Sequence, residues 1–141
     1  MLALVLPIGE ERYAVPTASV REVAAAVRCT PLPAAPPWVL GVVNLRGEVV
    51  PLLDTSTMLG LGPMSRRASF AAVVDLEAGP AALASDAVPV VADLDGTLGH
   101  SDLPGSLGRH RVGGQLVVLL DPEALVAAAR GDGAASGMTD R

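Results

Sequence analysis

Trp38-Val39-Leu40-Gly41-Val42-Val43-Asn44-Leu45-Arg46-Gly47-Glu48-Val49-Val50-Pro51-Leu52-Leu53-Asp54 is two apolar runs of strand length around a polar turn. Asn at the first and Gly at the fourth position of Asn44-Leu45-Arg46-Gly47 suit a type I hairpin turn, which would put Leu45 and Arg46 at the tip. An apolar residue beside an arginine on a rigid hairpin has the make-up of a protein-contact hot spot. The competing reading is that Arg46 only pairs with Glu22 or Glu48, a surface ion pair that stabilises by about 0–1 kcal/mol.

Working outward, the second strand of this hairpin has a copy. Gly47-Glu48-Val49-Val50-Pro51-Leu52-Leu53-Asp54 aligns with Gly114-Gln115-Leu116-Val117-Val118-Leu119-Leu120-Asp121, with Gly, Val, Leu, Leu and Asp identical. Upstream, Ala14-Val15, Val20 and Val23 align with Ala82-Leu83, Val88 and Val91 at nearly the same offset. Two related β units follow, each too small to be stable alone, so they should share one apolar interface. In the copy, the position of Arg46 is Gly113, so the hairpin does not need an arginine to form.

The other short Val- and Leu-rich runs also read as strands: Leu2–Ile8, Tyr13–Pro16, Val20–Val27, Phe70–Leu76, Ala81–Ala84 and Val88–Ala92. Helices are expected after the two repeated strands, from Asp54 to Leu59 and from Asp121 to Arg130. In the second, Asp121 is the N-cap, Pro122 the first helical residue and Gly131 the stop. Leu61 to Arg67 reads as the connection between the units. Thr30 to Pro37 reads as an extended, proline-stiffened crossing, and residues 131–141 as a flexible tail. The chain is therefore mostly β: one domain over 1–130, with subdomains at roughly 14–67 and 68–118 and the terminal segments completing them.

Composition narrows the chemistry. Among 141 residues all ten basic ones are Arg, so Schiff-base, P-loop and pyridoxal chemistry, which need a lysine amine, are excluded. A net charge of −5 with scattered arginines offers no basic stripe for nucleic acid. One cysteine, Cys29, and two histidines make no internal disulfide and no Cys/His metal set, and no cofactor or metal is expected. The apolar start lacks the charge pattern of a signal peptide and the length of a membrane span, which predicts a cytoplasmic domain without direct membrane insertion. The core must be Leu, Val and Ala, since 20 Leu and 19 Val face a single Ile and three aromatics.

Two stretches imitate active sites. Asp93-Leu94-Asp95-Gly96-Thr97 resembles the first motif of haloacid-dehalogenase-like phosphatases, but no lysine and no alternating strand–helix pattern follows it, so a polar turn is favoured. His100-Ser101-Asp102 has the composition of a hydrolase triad, yet three consecutive residues point to alternate sides of an extended backbone. No catalytic residue is expected.

The hairpin and its flanks resemble the CheW-like domain. The resemblance is carried by Tyr13-Ala14-Val15-Pro16, Val20-Arg21-Glu22-Val23, Pro33, Pro36, Trp38 and the pattern from Gly41-Val42-Val43-Asn44-Leu45-Arg46-Gly47 to Pro51 and Asp54. It continues more weakly through Ser85-Asp86-Ala87-Val88 to Gly114–Asp121. It implies two small SH3-like five-stranded β-barrel subdomains packed on a shared apolar core, with short helices and no catalysis. It further implies a chemotaxis adaptor in the cytoplasm, at receptor arrays on the inner face of the membrane. The implied partners are the regulatory domain of the histidine kinase CheA and the cytoplasmic tips of methyl-accepting chemoreceptors, whose helix would lie in an apolar groove between subdomains. By position, the implied protein-binding residues are Val20, Glu22, Val42, Asn44, Leu45, Arg46 and Gly47, with Asp86 in the second half. The chain departs from the family pattern at Ala84-Ser85, where an apolar pair is usual. Alternatives are a scaffold of another chemosensory pathway, for pili or gene regulation, and a divergent barrel that binds a small apolar ligand.

Overall fold

The computed structural model describes residues 1–25, 27–64 and 69–131. The described residues form ten strands and two α-helices, with a single 3-10 turn at Thr17–Ser19: β1 (Leu2–Ile8), β2 (Glu11–Pro16), β3 (Val20–Ala25), β4 (Val39–Leu45), β5 (Glu48–Leu53), α1 (Thr55–Met58), β6 (Phe70–Leu76), β7 (Gly79–Ser85), β8 (Val90–Asp93), β9 (Ser106–Val112), β10 (Gln115–Leu120) and α2 (Pro122–Arg130). They make two five-stranded sheets. Sheet 1 has the order β8-β1-β2-β10-β9 and sheet 2 the order β3-β6-β7-β5-β4. The mostly β expectation, with two five-stranded units and short helices, is what the chain forms.

The sheets do not follow the division at 14–67 and 68–118. Sheet 2 is one continuous stretch, residues 20–85, and sheet 1 is assembled from both ends of the described chain. Along the sequence each repeat runs hairpin, strand, hairpin, helix, and its first hairpin is lent to the other sheet. β1–β2 pairs with β8 and β10, while β6–β7 pairs with β3 and β5. Neither repeat can complete a sheet without the other, because each recipient sheet would expose an unpaired edge.

The repeat extends to the main-chain hydrogen bonds. Val39 N–H donates to Pro36 and Asp54 N–H to Trp38 (3.0 and 2.9 Å), as Ser106 N–H donates to Leu103 and Asp121 N–H to Gly105 (3.1 and 2.8 Å). In sheet 2 the segment after β3 returns to the opposite edge, where Thr30 bridges Val42. In sheet 1 the segment after β8 does the same, and Gly99 bridges Arg109. The crossing from Thr30 is not extended throughout, since turns interrupt it and Ala34 sits at φ 63°.

The central strands of each sheet are buried on both faces, which explains the nearly unbroken apolar runs in β1 and β6. Leu4, Leu6, Tyr13 and Val15 of sheet 1 meet Leu53, Val74 and Leu83 of sheet 2 in the shared core, closed by Met58, Leu59, Leu125 and Val126. The alternate side chains form two private cores, Val43, Val50, Leu52 and Val73 inside sheet 2 and Val5, Leu94, Val117 and Leu119 inside sheet 1. The helices start as expected. The Asp54 carboxylate accepts from Thr57 N–H (3.0 Å), that of Asp121 accepts from Glu123 N–H (3.1 Å), and Gly131 ends α2 at φ 87°. Residues 65–67 of the connection expected from Leu61 to Arg67 and all but the first residue of the expected tail 131–141 lie outside the described residues.

Candidate functional site

The β4–β5 hairpin closes with Leu45 opposite Glu48, leaving a two-residue turn, Arg46-Gly47. Both turn residues have positive φ, 53° and 90°, the mark of a type I′ turn. The expected type I turn is therefore corrected: a two-residue loop between right-twisted strands needs the mirror-image form. The tip is Arg46-Gly47, and Leu45, instead of standing at the tip, is half-buried against the inner core of sheet 2. Asn44 fastens the turn, its side-chain oxygen accepting from Gly47 N–H at 2.8 Å.

Left-handed backbone costs a non-glycine residue about 1–2 kcal/mol and is mostly left to Gly and Asn. Arg46 occupies it with a side chain 76% exposed, so burial does not offset that cost. The equivalent turn of sheet 1, Gly113-Gly114, has nearly the same angles, 54° and 83°, on two glycines. An arginine in this position thus carries strain that the fold itself shows how to avoid.

The Arg46 guanidinium pairs with the Glu22 carboxylate on β3, at the opposite edge of sheet 2. A bulge between Val20 and Glu22 leaves Arg21 beside it. Arg21 reaches Glu48 on the hairpin (3.0 Å) and Asp75 on β6 (2.6 Å), and hydrogen bonding to Asp75 raises its already high pKa. Two guanidinium groups and three carboxylates thus tie the two edges of sheet 2 together on the protein surface. Arg21 and Asp75 were not singled out by the sequence, because in a regular strand Arg21 and Glu22 would point to opposite faces.

Of the sequence-expected residues, Glu22, Asn44, Arg46 and Gly47 come together, with Leu45 beneath. Val20 is half-buried against the shared core, and Val42 is half-buried where β4 bridges Thr30. Asp86 lies apart, at the end of β7. Its N–H donates to the Pro7 carbonyl (2.9 Å), and its carboxylate accepts from Gly9 N–H in the β1–β2 turn. It therefore fastens the lent hairpin to the neighbouring sheet.

A groove of about 360 Å³ runs alongside β5, lined by Trp38, Val49, Pro51, Leu53 and Val126, with Arg130 also on its wall. Its counterpart in the other repeat, about 220 Å³, is walled by Glu10, Glu11, Arg12, Gln115 and Leu116. The two grooves hold equivalent positions and differ in polarity.

The imitations of active sites dissolve into surface structure. Leu94 between Asp93 and Asp95 is buried in the private core of sheet 1, and His110 Nδ1 donates to the Asp95 carbonyl at 2.7 Å. His100 Nε2 lies 2.9 Å from Asp102 on the open surface, while Ser101 Oγ accepts from Leu103 N–H. Among the described residues no three Cys, His, Asp or Glu side chains are grouped to hold a metal, and no helix is long and apolar enough to cross a membrane.

A family model, the CheW-like domain, matches residues 2–130. The chain is 44% identical over 54 residues to a chemotaxis protein CheW of Rhizobium meliloti, covering 38% of this chain and 35% of that one. It is 43% identical over 54 residues to a chemotaxis protein CheW of Helicobacter pylori, covering 38% and 33%. It is also 44% identical over 55 residues to protein FrzA of Myxococcus xanthus, covering 39% and 34%. In each case the matched stretch spans about a third of the relative's length. The crystal structure of the scaffolding protein TtCheW from Thermoanaerobacter tengcongensis has the same fold, with a TM-score of 0.74 over 88% of this chain and 86% of that one at 23% identity.

Proposed function

The chain belongs to the CheW-like domain family, a family of non-catalytic scaffolds, and from that premise we propose that it couples the cytoplasmic tips of methyl-accepting chemoreceptors to the regulatory domain of the histidine kinase CheA. It works at the inner face of the membrane as a rigid connector. The observation that carries this reading is Arg46, an exposed cation held in left-handed backbone at a turn whose repeat partner uses two glycines. Strain kept at an exposed side chain whose surface ion pair to Glu22 returns only about 0–1 kcal/mol marks a position where the side chain serves something outside the fold. Arg is also among the residues that dominate interface energetics.

In this reading the hairpin supplies the polar anchor and the apolar groove beside β5 receives a receptor helix, whose apolar face needs little charge from its host. Asp86 serves the kinase contact of the second half by holding the β1–β2 turn in place.

Co-sedimentation of the chain with receptor fragments and the kinase regulatory domain tests the reading. Arg46→Glu is expected to weaken complex formation at least about tenfold, equivalent to about 1.4 kcal/mol, while the lost Glu22 pair lowers stability by no more than about 1 kcal/mol. Unaltered binding to both partners would remove the hairpin from the interface. A second reading, the alternative that the family resemblance leaves open, is a scaffold of another chemosensory pathway. Capture of a kinase other than that of the flagellar system would select it.

A further inference from the structure

The five charged groups around the hairpin are unequal in number and in reach. Glu22, Glu48 and Asp75 compete for two guanidinium groups, and Glu48 stands immediately after the Arg46-Gly47 turn. Left alone, Glu48 is the nearest carboxylate along the chain to Arg46, and a pair between them would fold the guanidinium back over its own hairpin. That does not happen, because Arg21 holds Glu48 with one nitrogen and Asp75 with another. A planar guanidinium can serve two carboxylates at once in fixed directions, which an ammonium cannot do with the same geometry. Arg46 is thereby left to Glu22, across the sheet edge, with its outer face open to solvent.

We propose that Arg21 is a positioning residue for the hairpin: by occupying Glu48 and Asp75 it sorts the ion pairs so that Arg46 is held by Glu22 and presented to a partner. This rests on the reading of the hairpin as a contact, but the pairing itself is independent of any partner. The bulge at Arg21 is what makes it possible, since it turns consecutive residues, Arg21 and Glu22, toward the same hairpin. All three pairs lie at the surface, so their function is directional and little of the fold's stability depends on them.

The test uses the whole chain and two readouts. The first is the side-chain Nε–H resonance of Arg46. In the wild type it should respond to Glu22→Gln and not to Glu48→Gln. In Arg21→Gln it should shift, and there Glu48→Gln should reverse much of the shift. The second is binding to the receptor fragment and the kinase regulatory domain. Arg21→Gln should weaken it about threefold, and Arg21→Gln with Glu48→Gln should restore it, because the competing carboxylate is gone. A merely structural loss would not be rescued by a second deletion of charge. An Arg46 resonance indifferent to Arg21→Gln overturns the proposal. A resonance that shifts while binding stays constant upholds the sorting of ion pairs and removes the hairpin from the interface.

Discussion

The two repeats build the same hairpin in two ways. In sheet 2 the turn is Arg46-Gly47, braced by Asn44 and by ion pairs of Glu48 and Arg46 to Arg21 and Glu22 on β3. In sheet 1 it is Gly113-Gly114, and Arg111 donates to the Gly114 carbonyl at 3.2 Å. The glycine version is the economical one, since glycine reaches left-handed angles without a Cβ clash. That a fold containing both solutions keeps the costlier one only at Arg46 separates what the hairpin needs from what the site needs. The grooves repeat the lesson: the one next to the arginine hairpin is mostly apolar, with Arg130 its one charged wall residue, and its counterpart is lined by Glu10, Glu11 and Arg12.

The comparison can be broken most severely at the glycines where the crossing segments pass over the sheets. Gly41 and Gly108 occupy equivalent positions in β4 and β9, at φ 150° and 124°. A Cβ at Gly41 would press on the Thr30 carbonyl and lie 2.7 Å from Cys29 Sγ, whereas one at Gly108 would lie 3.3 Å from the Gly99 carbonyl oxygen. Gly41→Ala should destabilise by about 3 kcal/mol, because backbone must move, and Gly108→Ala by about 1 kcal/mol. Urea midpoints of the two variants measure the difference. Equal losses would mean that the two crossings are packed alike.

Exchanging the turns sharpens the comparison further. Arg46→Gly relieves left-handed strain but loses the Glu22 pair and loosens the unfolded chain, so stability should stay level or rise by up to about 1 kcal/mol. Binding to receptor and kinase fragments should nevertheless fall. Gly113→Arg should destabilise by about 1 kcal/mol and gain no binding, as β8, the counterpart of β3, carries Val90 where β3 carries Glu22. A loss of stability in Arg46→Gly would show that the arginine is there for the fold.

Much of this architecture was legible in the sequence, and the failures have physical causes. Apolar runs gave nine of the strands, most fully in β1, β2, β6 and β7, which are buried on both faces. β9 was missed because its inward positions are Gly108 and His110, which leave no apolar run, although Gly113-Gly114 is itself a two-residue hairpin signal. The repeat could be read from Gly47–Asp54 and Gly114–Asp121, but the exchange of hairpins could not. A strand buried on both faces carries no local mark of which sheet it joins. At the site, Glu22, Asn44 and Arg46 could be read, while Arg21 was hidden because its direction depends on a bulge. Asp86 was assigned to a contact surface, and its structural bond to Gly9 depends on a pairing between distant strands.

The smallest expected effect concerns the shared core. Tyr13 is the chain's one tyrosine, buried in β2, and the corresponding position in β7 is the non-titrating Ala81. Burial, and secondarily the charge of Glu11, raises the Tyr13 pKa above its ordinary value of 10.0. The folded state therefore holds the phenolic proton more tightly than the unfolded one. Its contribution to stability is complete below the ordinary value and declines as pH climbs from there through the folded value. Unfolding midpoints measured across that alkaline range should fall in the wild type and fall less in Tyr13→Phe. Because only one tyrosine absorbs as tyrosinate, the same titration followed by ultraviolet absorption reads Tyr13 alone. An apparent value at or below the ordinary one would mean that the lent hairpin β1–β2 opens to water before the rest of the fold. The exchange of hairpins would then be the weak joint between the two repeats.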